Sequence, residues 1–316
     1  MIEVENLVKR YGSHLAVDHL SFQVQPGKIY GFLGPNGAGK STTMNILTGY
    51  IAATEGSVKI NGHDIVKDGE AARKCIGYLP EVPPLYQDMT VMEYLNFAAA
   101  LKKTAGESRK KQIEEIMELV MLSDVPDRLI RNLSKGYKQR VGMAQAVLGY
   151  PDVIILDEPT VGLDPKQIIE IRELIKKLGE NHTIILSSHI LSEVQAVCDE
   201  IMILSKGKLA ACDTPEGLMG LMGGSARLKM DILGERDRVE EVIKGISRIK
   251  TYHFEENDSE KGCTGITIET EAKEDVREML FYALAEKKLP VMSMSRVEKS
   301  LEDVFLELTQ TKGGQE

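Results

Sequence analysis

The sequence predicts an α/β fold: a core domain with a largely parallel sheet, an all-helical insertion within it, and a small α+β domain after it. Three observations carry that prediction. Short apolar runs alternate with amphipathic helical stretches over residues 1 to about 220. The alternation lapses between about 82 and 150, where the periodicity is helical throughout. Beyond the glycine pair Gly223 and Gly224 the order becomes strand, helix, strand, strand, helix, strand. Alternation of the first kind marks a parallel sheet, because parallel neighbours need a crossover long enough to hold a helix.

In chain order, the core strands are KIYGFLG, CIGYLP, DVIILDEP, HTIILSSH and EIMILSKG, apolar runs bounded by glycine, proline or charge. The insertion takes TVMEYLNFAAALKK, SRKKQIEEIMELVMLSD and the run after Ser134. The last region divides into ARLKMDIL, RDRVEEVIKGI, IKTYHFEEN, TGITIET, KEDVREMLFYALAEKK and PVMSMSRV, a ferredoxin-like order, with a short helix in SLEDVFLELT. The expected domains are residues 1–222, with the helical insertion at about 82–150, and residues 225–312.

Composition narrows the function. The chain has 316 residues, 42% hydrophobic and 28% charged, which is ordinary for a folded globular protein. A net charge of -9 argues against a nucleic-acid partner, since binding a polyanion requires a basic face. Cys75, Cys198, Cys212 and Cys263 form no CxxC pair, so reduced, mostly buried thiols are expected rather than disulfides or a zinc site. The N-terminal residues carry acids and no apolar core of a leader, and no stretch reaches the roughly 20 apolar residues of a membrane span. A soluble, unexported chain is expected.

GPNGAGKS, residues 34–41, has the spacing G-x-x-x-x-G-K-[ST] between an apolar strand and the helical run that begins with Thr42. Gly34, Gly37 and Gly39, with Pro35, Asn36 and Ala38 between them, let the backbone curl so that successive N–H groups surround phosphate oxygens at a helix N-terminus. Lys40 is expected to bridge the β- and γ-phosphates, and Ser41 to place a hydroxyl on magnesium. VIILDEP supplies a carboxylate at the end of an apolar strand. On its own, Asp-Glu-Pro reads as the cap of a buried strand; beside a phosphate loop, Asp157 reads as a magnesium ligand and Glu158 as base or orienting group for the attacking water. His189 follows HTIILSS and is either a γ-phosphate sensor or a strand-end residue with a local hydrogen bond. Tyr11 is either a packing residue or a platform for adenine.

Tyr11, GPNGAGKST, LSKGYKQR, VIILDEPT, GLDP and His189, in this order, resemble the ATP-binding subunit of ABC transporters over residues 1 to about 220. The resemblance implies a P-loop NTPase core of the ABC type with an added antiparallel β subdomain, using ATP and Mg2+. It also implies that Ser134 and Gly136 face the γ-phosphate of ATP held by another subunit, so that two copies, by default a homodimer, complete each other's sites, with Asp164 crossing between them. The loop after Glu81 and the helix TVMEYLNFAAAL would receive a permease encoded as a separate polypeptide, which holds the chain at the cytoplasmic face of the membrane.

Three positions, two of them in the signature, depart from the family pattern. Lys135 replaces the first glycine of the LSGGQ signature and Tyr137 its glutamine; the lysine either attracts the γ-phosphate or is a solvated charge. Glu81 stands where the family has glutamine and is expected to contact magnesium or the attacking water. A further resemblance, in SRVEKSLEDVFLELT, LSKGYKQRVGMAQAVL and GYLPE, is to the multidrug, antibiotic-resistance and gliding-motility exporters, which implies export. The alternative is an ABC-type ATPase acting on nucleic acid or ribosome. Such proteins carry long coiled coils between P-loop and signature, or two cassettes in one chain, and neither feature occurs here. A small-molecule kinase would leave LSKGYKQR and Asp164 without a role.

Overall fold

The structure, a computed structural model, describes residues 1–104, 106–221, 227–255, 262–270, 275–297 and 300–310. Strands β1 (Ile2–Tyr11), β2 (His14–Val24) and β3 (Ile29–Leu33) lead into helix α1 (Lys40–Leu47). There follow β4 (Glu55–Ile60), β5 (His63–Asp64), α2 (Gly69–Lys74) and β6 (Ile76–Leu79), then the helices α3 (Val91–Leu101), α4 (Gly106–Leu119) and α5 (Lys135–Val147). The core continues with β7 (Val153–Asp157), α6 (Pro165–Gly179), β8 (Thr183–Ser188), α7 (Leu191–Val197), β9 (Glu200–Ser205) and β10 (Lys208–Asp213). Last come α8 (Pro215–Leu221), β11 (Arg227–Leu233), α9 (Arg236–Lys244), β12 (Ile249–Phe254), β13 (Cys263–Thr270), α10 (Arg277–Glu286), β14 (Val291–Val297) and α11 (Leu301–Gln310).

The six-stranded core sheet has the order β10-β9-β3-β8-β7-β6. All its pairings are parallel except that of the edge strand β10. β3, β7 and β8 are buried at every residue, which is why they read as unbroken apolar runs: both faces of the sheet are covered. A second, four-stranded sheet, β2-β1-β4-β5, is antiparallel. Its inner residues Ile2, Val4, Leu20, Phe22 and Ile60 share one apolar core with Phe32, Met44, Ile155 and Met202. The rings of Phe22 and Phe32 meet edge to face at 5.2 Å.

In the helical insertion, α3 starts in a capping box: the Thr90 hydroxyl accepts from Glu93 N–H at 3.2 Å and the Glu93 carboxylate accepts from Thr90 N–H at 2.8 Å. Thr90→Ala is expected to lower the stability of the unit by about 1 kcal/mol, read as a shift in urea midpoint at constant slope. The helix α5 lies against β6 with glycines at both contacts. A Cβ on Gly77 would come 2.1 Å from Ala146 O, and one on Gly142 would come 2.5 Å from Leu79 Cδ1. At Gly77 no side chain fits between strand and helix, and at Gly142 the Leu79 side chain already fills the space.

The chain groups into two compact units, Met1–Pro215 with the segment from Leu308, and Glu216–Glu307. In the second, β11 to β14 form an antiparallel sheet of order β12-β13-β11-β14. Met230, Ile232, Ile266 and Ile268 on one face of that sheet pack on Val239 and Ile243 of α9 and Leu280 and Leu284 of α10. Gly223 and Gly224, taken above as the boundary, lie outside the described residues.

One expectation needs correction. Cys198 and Cys263 are buried and Cys75 partly so, but Cys212 is exposed, because it sits on the edge strand β10. Among the described residues no helix is long and apolar enough to cross a membrane.

Candidate active site

The parallel register brings three strand ends level. Leu33 lies opposite Ser188, and Ser187 opposite Asp157. The loop GPNGAGK, the pair Asp157–Glu158 and His189 therefore emerge side by side at the carboxyl edge of the sheet, where open α/β sheets bind ligands.

The phosphate loop is shaped by its glycines. Gly37 and Gly39 have φ of 81° and 99°, a left-handed backbone that other residues adopt at a cost. Gly34 is needed for space, since a Cβ there would come within 2.6 Å of Leu204 O. Lys40 opens α1 and is only 6% exposed. Its ammonium donates to the carbonyls of Gly34 at 2.8 Å and Pro35 at 3.4 Å and lies 3.6 Å from Glu158 Oε1.

The carboxylates are fixed by hydroxyls. Asp157, 4% exposed, accepts on Oδ1 from Ser187 at 2.5 Å and from Ser41 at 3.3 Å. The same Ser187 oxygen accepts from Glu158 N–H at 2.9 Å. Glu158 has φ of 48°, a strained backbone for a non-glycine residue, at the turn where the chain leaves β7. Its Oε2 is 2.9 Å from Nδ1 of His189. The strand that precedes His189 pairs with the one that ends at Asp157, and the His189 ring nitrogen meets the carboxylate of Glu158.

A cavity of about 360 Å³ is lined by Tyr11, Asn36, Gly37, Ala38, Gly39, Lys40, Ser41, Thr42, Glu81, Glu158 and His189. Asp157, Gly34 and Pro35 stand behind that lining. Tyr11 is 49% exposed, with Lys9 Nζ 5.2 Å from its ring centre, and its ring borders the cavity. Glu81 is exposed at the rim.

The signature residues are elsewhere. Ser134 caps α5, its oxygen accepting from Tyr137 N–H at 3.4 Å. Asp164 caps α6 by accepting from Gln167 N–H at 2.9 Å, with Pro165 in the first turn. Gly136 and Asp164 line a different cavity, of about 600 Å³, walled by Tyr137, Arg140, Gln167 and Glu170. Arg140 is buried there and pairs with Glu170. The Tyr137 hydroxyl donates to Asp124 at 2.8 Å, and that bond raises its pKa. Lys135 Nζ lies against the α-carbon of Gly162 in GLDP. One chain therefore carries the phosphate loop and the signature in separate places.

Sequence reasoning missed Ser187, Ser188, Thr160 and Glu193, whose side chains tie the ends of β7 and β8 together. The available signal was a serine pair ending an apolar strand. It also missed Tyr78, whose hydroxyl donates to Asn45 of α1 at 3.1 Å and whose pKa is pushed up by burial, with the charge of Asp157 adding to the shift.

A glycine-shaped anion loop at a helix N-terminus, a buried lysine and a strand-end carboxylate facing a loop hydroxyl define a P-loop nucleotide-binding ATPase. Comparison with known proteins gives the family. Residues 17–161 match the model described as ABC transporter. The bacitracin transport ATP-binding protein BcrA of Bacillus licheniformis is 37% identical, over 98% of this chain and 97% of that one. The linearmycin resistance ATP-binding protein LnrL of Bacillus subtilis is 31% identical over 98% of each chain. A dimeric ATP-binding cassette solved in a post-hydrolysis state with ADP and phosphate superposes with a TM-score of 0.62 at 27% identity, covering 68% of this chain and 98% of that one.

The chain belongs to the ATP-binding proteins of ABC transporters. It is an ATPase of the ABC fold, the ATP-binding subunit of a transporter, and these relatives give the nucleic-acid alternative no support.

Proposed function

We propose that the chain closes on ATP as a homodimer in which each copy reads the nucleotide held by the other, and that closure drives a separate membrane permease. The observation that carries this reading is the separation just described. Two helix N-termini suited to anions, that of α1 with Lys40 and that of α5 with Ser134, sit in different places on one chain. A two-fold dimer lets each copy supply the half that its neighbour's site needs. The dimeric cassette among the structural relatives supports a dimer.

Within such a site, the loop from Gly34 to Thr42 holds the phosphates and Tyr11 offers its exposed ring to the base. Ser134, Lys135 and Gly136 meet the partner's γ-phosphate, and Asp164 lies across the interface. The Ser41 hydroxyl and the Asp157 carboxylate, 3.3 Å apart, are the hard oxygen donors that Mg2+ takes from proteins, one or two at a time alongside phosphates. No larger His, Cys, Asp or Glu cluster exists among the described residues or is required. Magnesium supplies neutralisation of phosphate charge. Glu81, at the rim of the cavity, is assigned to the metal or the attacking water. Glu158 takes the proton of the attacking water, while His189 holds that carboxylate through its ring nitrogen and faces the γ-phosphate.

The membrane part belongs to another polypeptide, so the chain works in the cytoplasm as a peripheral subunit held at the inner face of the cell membrane by the permease. Likeness to the bacitracin transport and linearmycin resistance proteins supports export of an antibiotic-type compound. The last region is read as a ferredoxin-like accessory domain over residues 225–312, after an ATP-binding domain over 1–222. Its sheet order and helix positions support that class.

Light scattering of Glu158→Gln tests the dimer. This variant binds ATP but turns it over slowly, so it is expected to run as a monomer without nucleotide and as a dimer with ATP and magnesium. Adding Ser134→Arg is expected to return it to a monomer that still binds ATP. A Glu158→Gln chain that binds ATP and stays monomeric defeats the proposal.

A further inference from the structure

Glu193, in the first turn of α7, is a buried carboxylate, 5% exposed, with no ion-pair partner among the described residues. Its Oε2 accepts from the Thr160 hydroxyl at 2.5 Å and from the Ser188 hydroxyl at 3.0 Å. Both donors are themselves buried. Ser188 in turn accepts from Ile190 N–H at 3.0 Å, so its hydroxyl is fixed at both ends.

The two donors flank the reacting groups. Thr160 is two residues past Glu158, and Ser188 directly precedes His189. One oxygen of Glu193 therefore joins the loop that carries Glu158 to the loop that carries His189, and those two side chains meet at 2.9 Å. Carboxylates accepting from hydroxyls make short, directional bonds, and a buried acid without a cation is costly to keep. An apolar residue would fill this place more cheaply but would leave both hydroxyls unpaired.

We propose that Glu193 is a positioning residue for ATP hydrolysis: it sets the loop after β7 against the loop after β8 so that His189 holds the Glu158 carboxylate in its working orientation. Glu193 reaches neither the cavity nor the phosphate loop and acts through Glu158. The inference rests on the role given above to Glu158.

Turnover of the purified chain tests it. Glu193→Ala is expected to lower kcat about 10- to 100-fold, the scale of an ångström-sized misplacement, with KM for ATP unchanged within about threefold. Glu193→Gln keeps an oxygen that accepts both hydroxyls and is expected to restore most of kcat. In a Glu158→Gln background, Glu193→Ala is expected to cause no further loss. Should Glu193→Ala fold poorly, Thr160→Val removes one donor with little change of shape and is expected to give the same kcat-only defect. Wild-type turnover in Glu193→Ala or Thr160→Val, or an undiminished loss in the Glu158→Gln background, overturns the proposal while leaving the site reading intact. Wild-type turnover in Glu158→Gln itself overturns both.

Discussion

Lys40→Ala is expected to lower kcat/KM for ATP by about 10³-fold, the upper range for loss of one preorganised charge-stabilising donor. The lysine is buried, and its ammonium has the Gly34 and Pro35 carbonyls and the Glu158 carboxylate around it. Alanine removes the cation that offsets phosphate charge and leaves Glu158 without its nearest positive neighbour, so incoming phosphates meet an unbalanced anion in a confined site. Equilibrium binding of a fluorescent ATP analogue should weaken in parallel with turnover. Affinity and turnover within about tenfold of the wild type would mean that the backbone N–H groups of the loop hold the phosphates without the lysine.

Gly77→Ala is expected to destabilise the first unit by about 3 kcal/mol, the upper end of the cost of overpacking. The added carbon would sit 2.1 Å from Ala146 O, and because that atom is backbone, α5 must move as a whole to admit it. In a unit of this size the loss corresponds to a fall in transition temperature of about 6–12 °C, read by calorimetry as the transition of that unit. Gly62→Ala is the control. Gly62 has φ of 82° but nothing near its missing Cβ, so only backbone strain of about 1 kcal/mol is expected. Equal losses in the two variants would show that α5 can shift on β6 without penalty.

Of the strands legible in the sequence, those that read as unbroken apolar runs were buried on both faces, while β11 to β14 showed as alternating stretches. β3, β7 and β8 appear as continuous apolar runs because no residue in them faces water. β1 and β2 mix exposed and buried positions and carry charges, and β10 alternates between exposed and half-buried positions along its whole length because it is an edge, so none stood out as an apolar run. The phosphate loop was readable because its chemistry is contiguous, and Asp157 and Glu158 because a charged pair ends a run of apolar residues. The hydroxyl network was not. Thr160 and Glu193 are 33 residues apart, and Glu158 and Ser187 are 29 apart, so those partners exist only once β7 and β8 have paired in register. Tyr11 had two readings because exposure is a property of the fold.

The contact between α5 and β6 also has a mechanical meaning. Both glycine approaches, at Gly142 and at Ala146, fall in the second half of the helix, while Ser134 caps its start. Lys102 fastens the far end by donating to the carbonyls of Ala146 at 3.1 Å and Leu148 at 2.6 Å. At Gly77 the backbone of the strand lies directly under the backbone of the helix, and at Gly142 the Leu79 side chain takes the space a larger residue would need. The first half of the helix, from Ser134 to Gly142, rises about 12 Å and is held by other parts of the unit, Tyr137 by Asp124 and Arg140 by Glu170. The strand that leads to Glu81 and the helix that Ser134 caps thus press backbone to backbone at Gly77 and Ala146, so a shift of one must be passed directly to the other.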